Sequence, residues 1–476
     1  MRIYFLAFAT IILAVFSYGI DNSGDYNAMK VKNIFDEDYK IVENLRKHTV
    51  IFDAGGELTS RSRVAFGKNL SFFEIVPNNG GFKPVPDNMW IANFEGEFWG
   101  RITFFKESYL HFRLRGLFKF EKESIVPMFN VEELYIKWRY PIGSVVIGRT
   151  YFSLKSALIF SGPLDALELN IEVPFLNFKT FIGYTGLLGL FHPWFNPYGI
   201  SEFDRTFVEN TNLLTPKFNM AVNEIQARRV FIATDFDINV AAQHINPYLL
   251  GQIDVSSAPI DKYNNNKNAI STFHMGLNLE GRIIENFYYA AHISGMFGAS
   301  QDIAHSTVDT LMSFAFTSQL RYTFVNGKYS TFILSYSFGY GDKDSSIAFW
   351  SDDYNQTSNK FYYYGKFDGG FVLSPILSNI HSVSLKYLVT PVDNLIAKFT
   401  IYLAGYQTFK FFPSGEVSDP DFKGASYLVG AEADFGFIVN VAPSFTLSVD
   451  SGIFFPENTS EFNPRIKLGA SIVINI

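Results

Sequence analysis

The sequence predicts an all-β protein: a transmembrane antiparallel β-barrel of about 18 strands (16–18), with short periplasmic turns and long extracellular loops. Three observations predict it. Apolar residues alternate with small or polar ones at a period of two. Tight turns alternate with long polar connections. No apolar run beyond the first twenty residues is long enough for a membrane-crossing helix.

Composition narrows function before any motif does. The chain has 476 residues, 47% of them hydrophobic and 17% aromatic, with 52 Phe and 26 Tyr against 5 Trp. That is enough for a large core or one very large sheet. Cysteine is absent, which excludes disulfides, thiolate metal sites, cysteine nucleophiles and a lipoprotein anchor. A formal net charge of -7 argues against nucleic acid as a partner, so any basic feature must be local.

From the N-terminus, MRIYFLAFATIILAVFSYGI (1–20) has Arg2, an apolar run from Ile3 to Phe16 and the small residues Ser17 and Gly19, the pattern of a cleaved signal peptide. Residues 21–47 form an N-terminal segment in which AMKVKNIFDEDYKIVENLRKH can make a short helix. Residues 48–476 are expected to be a single barrel domain in the bacterial outer membrane, inserted by the barrel-assembly machinery.

Tight turns are expected at FKES (105–108), YPIG (140–143), VPFL (173–176), DFDI (235–238), GRIIEN (281–286), VNGK (325–328), TPVDN (390–394) and VAPS (441–444). Between them lie pairs of strand-like runs joined by longer connections, notably 185–223, 251–269, 342–366 and 408–424. Eight hairpins, one entering strand before Trp90 and one leaving strand at 464–476 make eighteen. That size class leaves a water-filled lumen.

Alternation assigns the faces. In SYLHFRLRGLFKFE (108–121), Leu110, Phe112, Leu114, Phe118 and Phe120 face lipid, and His111, Arg113, Arg115 and Lys119 face the lumen. The reverse assignment would cost about 2–4 kcal/mol for each charge near the midplane. Lys137 and Arg139 follow in NVEELYIKWRYP, with Leu134, Ile136 and Trp138 outward, and Arg101 follows Trp99 inward. Arg149 is assigned inward together with Val145 and Ile147, so its strand is less clean. The expected acidic lining is Glu168, Glu172, Glu280, Glu432, Asp434 and Asp450. Basic residues come early and acids late, which would set a positive wall partly opposite a negative one.

The long stretch from 185 to 223 is rich in aromatics and suits either a constriction folded into the lumen or a surface cap; His192 within it reads as a packed loop residue. Asp352 and Asp353 read as a solvated loop pair rather than a cation site. No nucleophile elbow, HExxH, P-loop or dinucleotide-binding motif is present, and the 8 histidines are dispersed. No enzyme activity, cofactor or metal is expected.

Two stretches resemble a known family. LYIKWRYPIGSVVIGRTYFSLKSALIFSGPLDALELNIEV (134–173) and LVGAEADFGFIVNVAPSFTLSVDSGIFFPE (428–457) are similar to strand and turn segments of the alginate-export outer-membrane proteins. The resemblance implies an eighteen-stranded barrel passing anionic polysaccharide through a basic conduit. It carries Arg149, Glu432 and Asp434 across as pore-wall residues and makes Arg113, Arg115, Lys137 and Arg139 parts of the conduit. This chain departs from the usual barrel signal by ending in Ile476 rather than an aromatic residue.

The expected function is therefore a porin-like channel for small anionic solutes or polysaccharide. The competing expectation is a structural or adhesive surface barrel with a plugged lumen whose outer loops bind partners. A transporter of hydrophobic solutes would need a plug, for which the segment before Trp90 is the sequence's candidate.

Overall fold

Eighteen antiparallel strands close into one barrel in the computed structural model, which describes residues 51–66, 88–185, 229–255, 268–302, 307–341, 361–410, 427–457 and 464–475, apart from a few single and turn positions within them. The strands are β1 (Ile51–Phe66), β2 (Asn88–Phe105), β3 (Ser108–Glu121), β4 (Ser124–Tyr140), β5 (Gly143–Ser153) and β6 (Ser161–Val173). Next come β7 (Leu176–Tyr184), β8 (Arg229–Val240), β9 (Gln243–Asp254), β10 (Asn268–Ile284), β11 (Phe287–Asp302) and β12 (Thr307–Phe324). The ring is completed by β13 (Tyr329–Gly339), β14 (Ile380–Asp393), β15 (Ala397–Lys410), β16 (Leu428–Val441), β17 (Phe445–Pro456) and β18 (Arg465–Asn475). Each strand pairs with its sequence neighbours, and β1 pairs with both β2 and β18. Closure leaves no edge strand, although β5 pairs with β4 only over Leu134–Tyr140.

The period-two pattern sorts side chains as expected. Leu134, Ile136, Trp138, Ile147, Leu167, Ile182, Ile232 and Leu249 are 41–59% exposed on the outer face. At roughly 25 cal/mol per Å2 of apolar surface, such a band is stable only against another apolar medium. Among the described residues no helix is long and apolar enough to cross a membrane, so any crossing is by strands.

Two inward segments fill part of the lumen. The β5–β6 connection contributes Leu154, Leu158, Ile159 and Phe160, and residues 361–379 between β13 and β14 contribute Phe361, Tyr362, Tyr364, Val372, Leu373 and Leu377. They share a backbone bridge at Phe160 and Tyr364, with Tyr364 N–H donating to the Ile159 carbonyl at 2.8 Å. Together with inward Phe181, Phe231, Tyr248, Leu250, Met296 and Phe454 they make an apolar cluster inside the barrel. The segment before Trp90 is no plug where it is described, because β1 is a stave of the wall. The inner filling comes instead from 154–160 and 361–379.

Several boundaries differ from expectation for identifiable reasons. DFDI (235–238) lies inside β8, and the turn follows Val240. Asp235 and Asp237 occupy alternate inward positions, where Asn246 and the Lys155 amide donate to Asp235 and Lys155 pairs with Asp237 at 3.6 Å. Acids facing a wet lumen imitate a turn. TPVDN lies largely in β14, with Pro391 at a register shift between Val389 and Val392, a position where a strand tolerates proline. GRIIEN begins inside β10, and the turn is made at Asn286 with φ 64°. The β3–β4 connection is only residues 122–123, so not every outer loop is long. The 1–20 and 21–47 segments, His192, Asp352, Asp353 and the stretch beyond Thr185 up to 223 lie outside the described residues.

Candidate functional site

On β1 to β4 the inward positions form rows. Glu57, Glu97 and Arg115 share one row, Trp99, Arg113 and Glu133 the next, and Arg101, His111 and Tyr135 a third. The β3–β4 register skips Glu132 between Arg113 and Leu114. This bulge puts two consecutive carboxylates, Glu132 and Glu133, within reach of the basic ladder. Arg115 pairs with Glu95, with Glu132 at 3.3 Å and with Glu97 at 3.6 Å. Arg113 sits 3.6 Å from Glu133 and 3.9 Å from Glu97, His111 sits 2.9 Å from Glu133, and Arg61 sits 3.7 Å from Glu95. Glu57 accepts from the Thr59 hydroxyl at 2.7 Å.

This arc is not a purely basic wall. Glu95, Glu97, Glu132 and Glu133 stand between the basic residues on the same strands, so the expected separation of a positive side from a negative one is replaced by local pairing. Two of the pairs are nevertheless layered. The Arg61 side chain is 42% exposed over Glu95 at 3%, and that of Arg113 is 35% exposed over Glu133 at 17%. At these two pairs the guanidinium stands toward the water and its carboxylate lies back along the wall, whereas Arg115, at 20%, is level with Glu97 and Glu132.

The other expected lining residues fall in different settings. Arg101 lies over the Tyr109 ring at 4.5 Å. Lys137 is half-buried in register with Tyr109. Arg139 pairs with Glu172 at 2.8 Å and Glu107 at 3.5 Å beside the tight turns, where these acids stand further out than the guanidinium. The side chain of Lys119 is outside the described residues. Arg149 is enclosed and sits 3.3 Å from Asp165, while Ile147, assigned inward from sequence, is 59% exposed on the outer face. Gly148 between them, at φ +123°, interrupts the alternation. Glu168 pairs with Lys179 at 3.1 Å, Glu280 is half-buried in register with His244, and Asp450 accepts from Tyr402.

Glu432 and Asp434 are both buried, because the 361–379 lobe lies on them. Glu432 accepts the backbone N–H groups of Val372 at 2.6 Å and Leu373 at 2.7 Å, and Asp434 accepts that of Phe371 at 3.1 Å. Lys467 donates to the Phe371 carbonyl at 2.7 Å and lies over its ring at 4.3 Å. Asp368 takes Lys386 and, at 3.1 Å, the Tyr406 hydroxyl. At the lobe's other end Tyr364 reaches Gln252 and Thr272, and the Tyr362 amide reaches Met296. Among the described residues none of these lobe contacts falls on β2, β3 or β4.

Sequence reasoning missed the lobe, Arg61, Glu57 and the four carboxylates of the β2–β4 wall. The alternation in NFEGEFWG (93–100) was the available signal for Glu95 and Glu97. Among the described residues no group of three His, Asp or Glu side chains is placed to hold a metal ion.

A closed eighteen-stranded antiparallel barrel with an outer apolar band and, among the described residues, a charged inner arc on β1–β4 is the architecture of a transmembrane β-barrel. No protein-family model matches the chain, and no curated protein matches it. The alginate-export resemblance thus rests on residues 134–173 and 428–457 alone. Solved structures from Pseudomonas aeruginosa align with most of this chain. OccK5 (OpdH) aligns with a TM-score of 0.49 at 10% identity over 89% of this chain and 98% of that one. OccK11 (OpdR) gives 0.47 at 10% over 89% and 96%. OpdK, crystallised with vanillate, gives 0.47 at 9% over 89% and 99%.

Proposed function

We propose that this chain is a non-enzymatic outer-membrane channel whose water path follows the β1–β4 arc and favours solutes carrying anionic groups. The lobe occupies the side of the lumen lined by β6 and β8–β18, which directs passage along the opposite wall. The observation that carries the preference is the layering at Arg61 and Arg113, exposed in front of Glu95 and Glu133. A carboxylate or phosphate on a passing solute meets guanidinium first, and guanidinium pairs with such groups through parallel N–H donors. Each guanidinium is already shared with a wall carboxylate, so solute binding is weak enough for release. Lipid surrounds the outer band, and the barrel-assembly machinery would insert it.

Passage of an acidic polysaccharide is the finer version of this reading and is supported by the sequence resemblance. Purified protein in a planar bilayer under a salt gradient should give a steady conductance with a modest anion-selective reversal potential. Block by an oligouronate would extend the reading to sugar acids. The interior lobe favours a second reading, a plugged surface barrel whose outer loops bind partners, and a folded protein without steady conductance would support that instead.

A further inference from the structure

We propose that Glu432 and Asp434, with a recess in the β17–β18 wall, are positioning residues that hold the 361–379 lobe as a fixed partition and so determine which part of the lumen conducts. The inference rests on the channel reading given above. It starts from FDGGFVL (367–373), a stretch without strand alternation. Three successive amides, those of Phe371, Val372 and Leu373, converge on the two carboxylates. Consecutive N–H groups turned to one side make a concave site for an anion, and here the barrel wall supplies the anion. Gly370, at φ +125°, makes the turn that aims them, and a Cβ there would lie 2.7 Å from Glu432 Oε1. A side chain at that position is thus excluded by conformation and by space.

The wall is shaped for the same residues. Gly452 on β17 faces both the carboxylate and the lobe: a Cβ there would meet Asp434 Oδ1 first and lie 2.7 Å from Val372 Cγ2. Gly469 on β18 faces the Phe371 ring, whose Cζ would be 3.3 Å from a Cβ there. Glu432 and Asp434 are inward positions on β16, and Gly452 lies directly opposite Asp434 in the β16–β17 register. Lys467 closes the seat from β18, and Lys386 and Tyr406 hold Asp368 from β14 and β15. Five adjacent strands therefore grip one short segment. The far end is fixed at the Phe160–Tyr364 bridge.

The experiment compares wild type, E432A/D434A, E432Q and G452L. Folding is checked by heat-modifiable migration. E432A/D434A removes the acceptors, and G452L fills the recess without changing charge. Both should raise single-channel conductance about twofold or more as the covered part of an eighteen-strand lumen opens to water. Both should also weaken ion selectivity, because ions would no longer pass only the Arg/Glu arc. E432Q keeps one carbonyl acceptor and should fall between wild type and E432A/D434A. A readout independent of conduction uses the absence of native cysteine. V372C should resist a membrane-impermeant maleimide in the otherwise native chain and react when E432A/D434A is added. Folded variants with native conductance, selectivity and V372C protection would overturn the inference. A silent wild type whose V372C still becomes reactive in E432A/D434A would sink the channel reading and leave the seat standing.

Discussion

The β1–β4 arc and the β14–β18 arc both place charged side chains on the inner face of the barrel, yet use them differently. On β1–β4, Arg61 and Arg113 reach water with carboxylates behind them. On β16–β18, Glu432, Asp434 and Lys467 are spent on the backbone of a lobe. Among the described residues, what separates the two arcs is the 361–379 lobe, which lies on the second and not on the first. A charge on the inner face of a barrel is a pore residue only where nothing covers it, and period-two alternation reports the face without reporting the cover.

The largest effect expected to break this contrast comes from a third setting, the fully buried pair Arg229 and Asp254, 3.4 Å apart. Asp254→Ala would leave a guanidinium enclosed beside the apolar cluster and should cost about 3–5 kcal/mol in a denaturant titration of the folded barrel. Arg113→Met should cost less in the same titration, about 1 kcal/mol, because Arg113 is partly in water and its carboxylates Glu133 and Glu97 keep His111 and Arg115 as partners. Equal losses at the two sites would erase the distinction between covered and open charge.

Next in size is the outer face. Ile136→Lys puts a charge among exposed apolar residues and should destabilise the lipid-inserted barrel by about 2–4 kcal/mol if it lies near the midplane. Equilibrium refolding into vesicles measures this, and a neutral result would mean that the band is not held in hydrocarbon.

Selectivity sharpens the contrast further. Changing both Arg113 and Arg115 to Glu places two more carboxylates among Glu95, Glu97, Glu132 and Glu133, and should abolish or reverse anion preference in reversal-potential measurements. An unchanged potential would move these residues off the path. The smallest effect is screening: raising salt from about 0.1 M to 1 M shortens the Debye length from about 10 Å to 3 Å and should reduce wild-type preference without abolishing it. Preference independent of salt would point to size rather than charge.

The barrel was legible in the sequence because its outer face must satisfy a single rule. Leu134, Ile136 and Trp138 alternate with Tyr135, Lys137 and Arg139, and lipid on one side with water on the other admits no other assignment. The turn at DFDI was misplaced because a wet lumen accepts acids within a strand, which a soluble sheet seldom does. The pairing of the basic ladder was only half legible. Glu95 and Glu97 alternate visibly, but Glu132 and Glu133 join the same face only through a bulge, which composition does not announce. The lobe was not legible at all. FYYYGKFDGGFVL (361–373) has neither strand alternation nor the length of an apolar core element, and its burial depends on contacts with strands far away in sequence.

The most direct test is cysteine modification, since the chain has no cysteine of its own. Arg113→Cys on the open arc and Ser294→Cys on the covered inner face of β11 are each exposed to a charged methanethiosulfonate reagent during bilayer recording. The expected result is a stepwise fall in current at Arg113→Cys and none at Ser294→Cys. Current lost at Ser294→Cys and preserved at Arg113→Cys would contradict a water path along β1–β4.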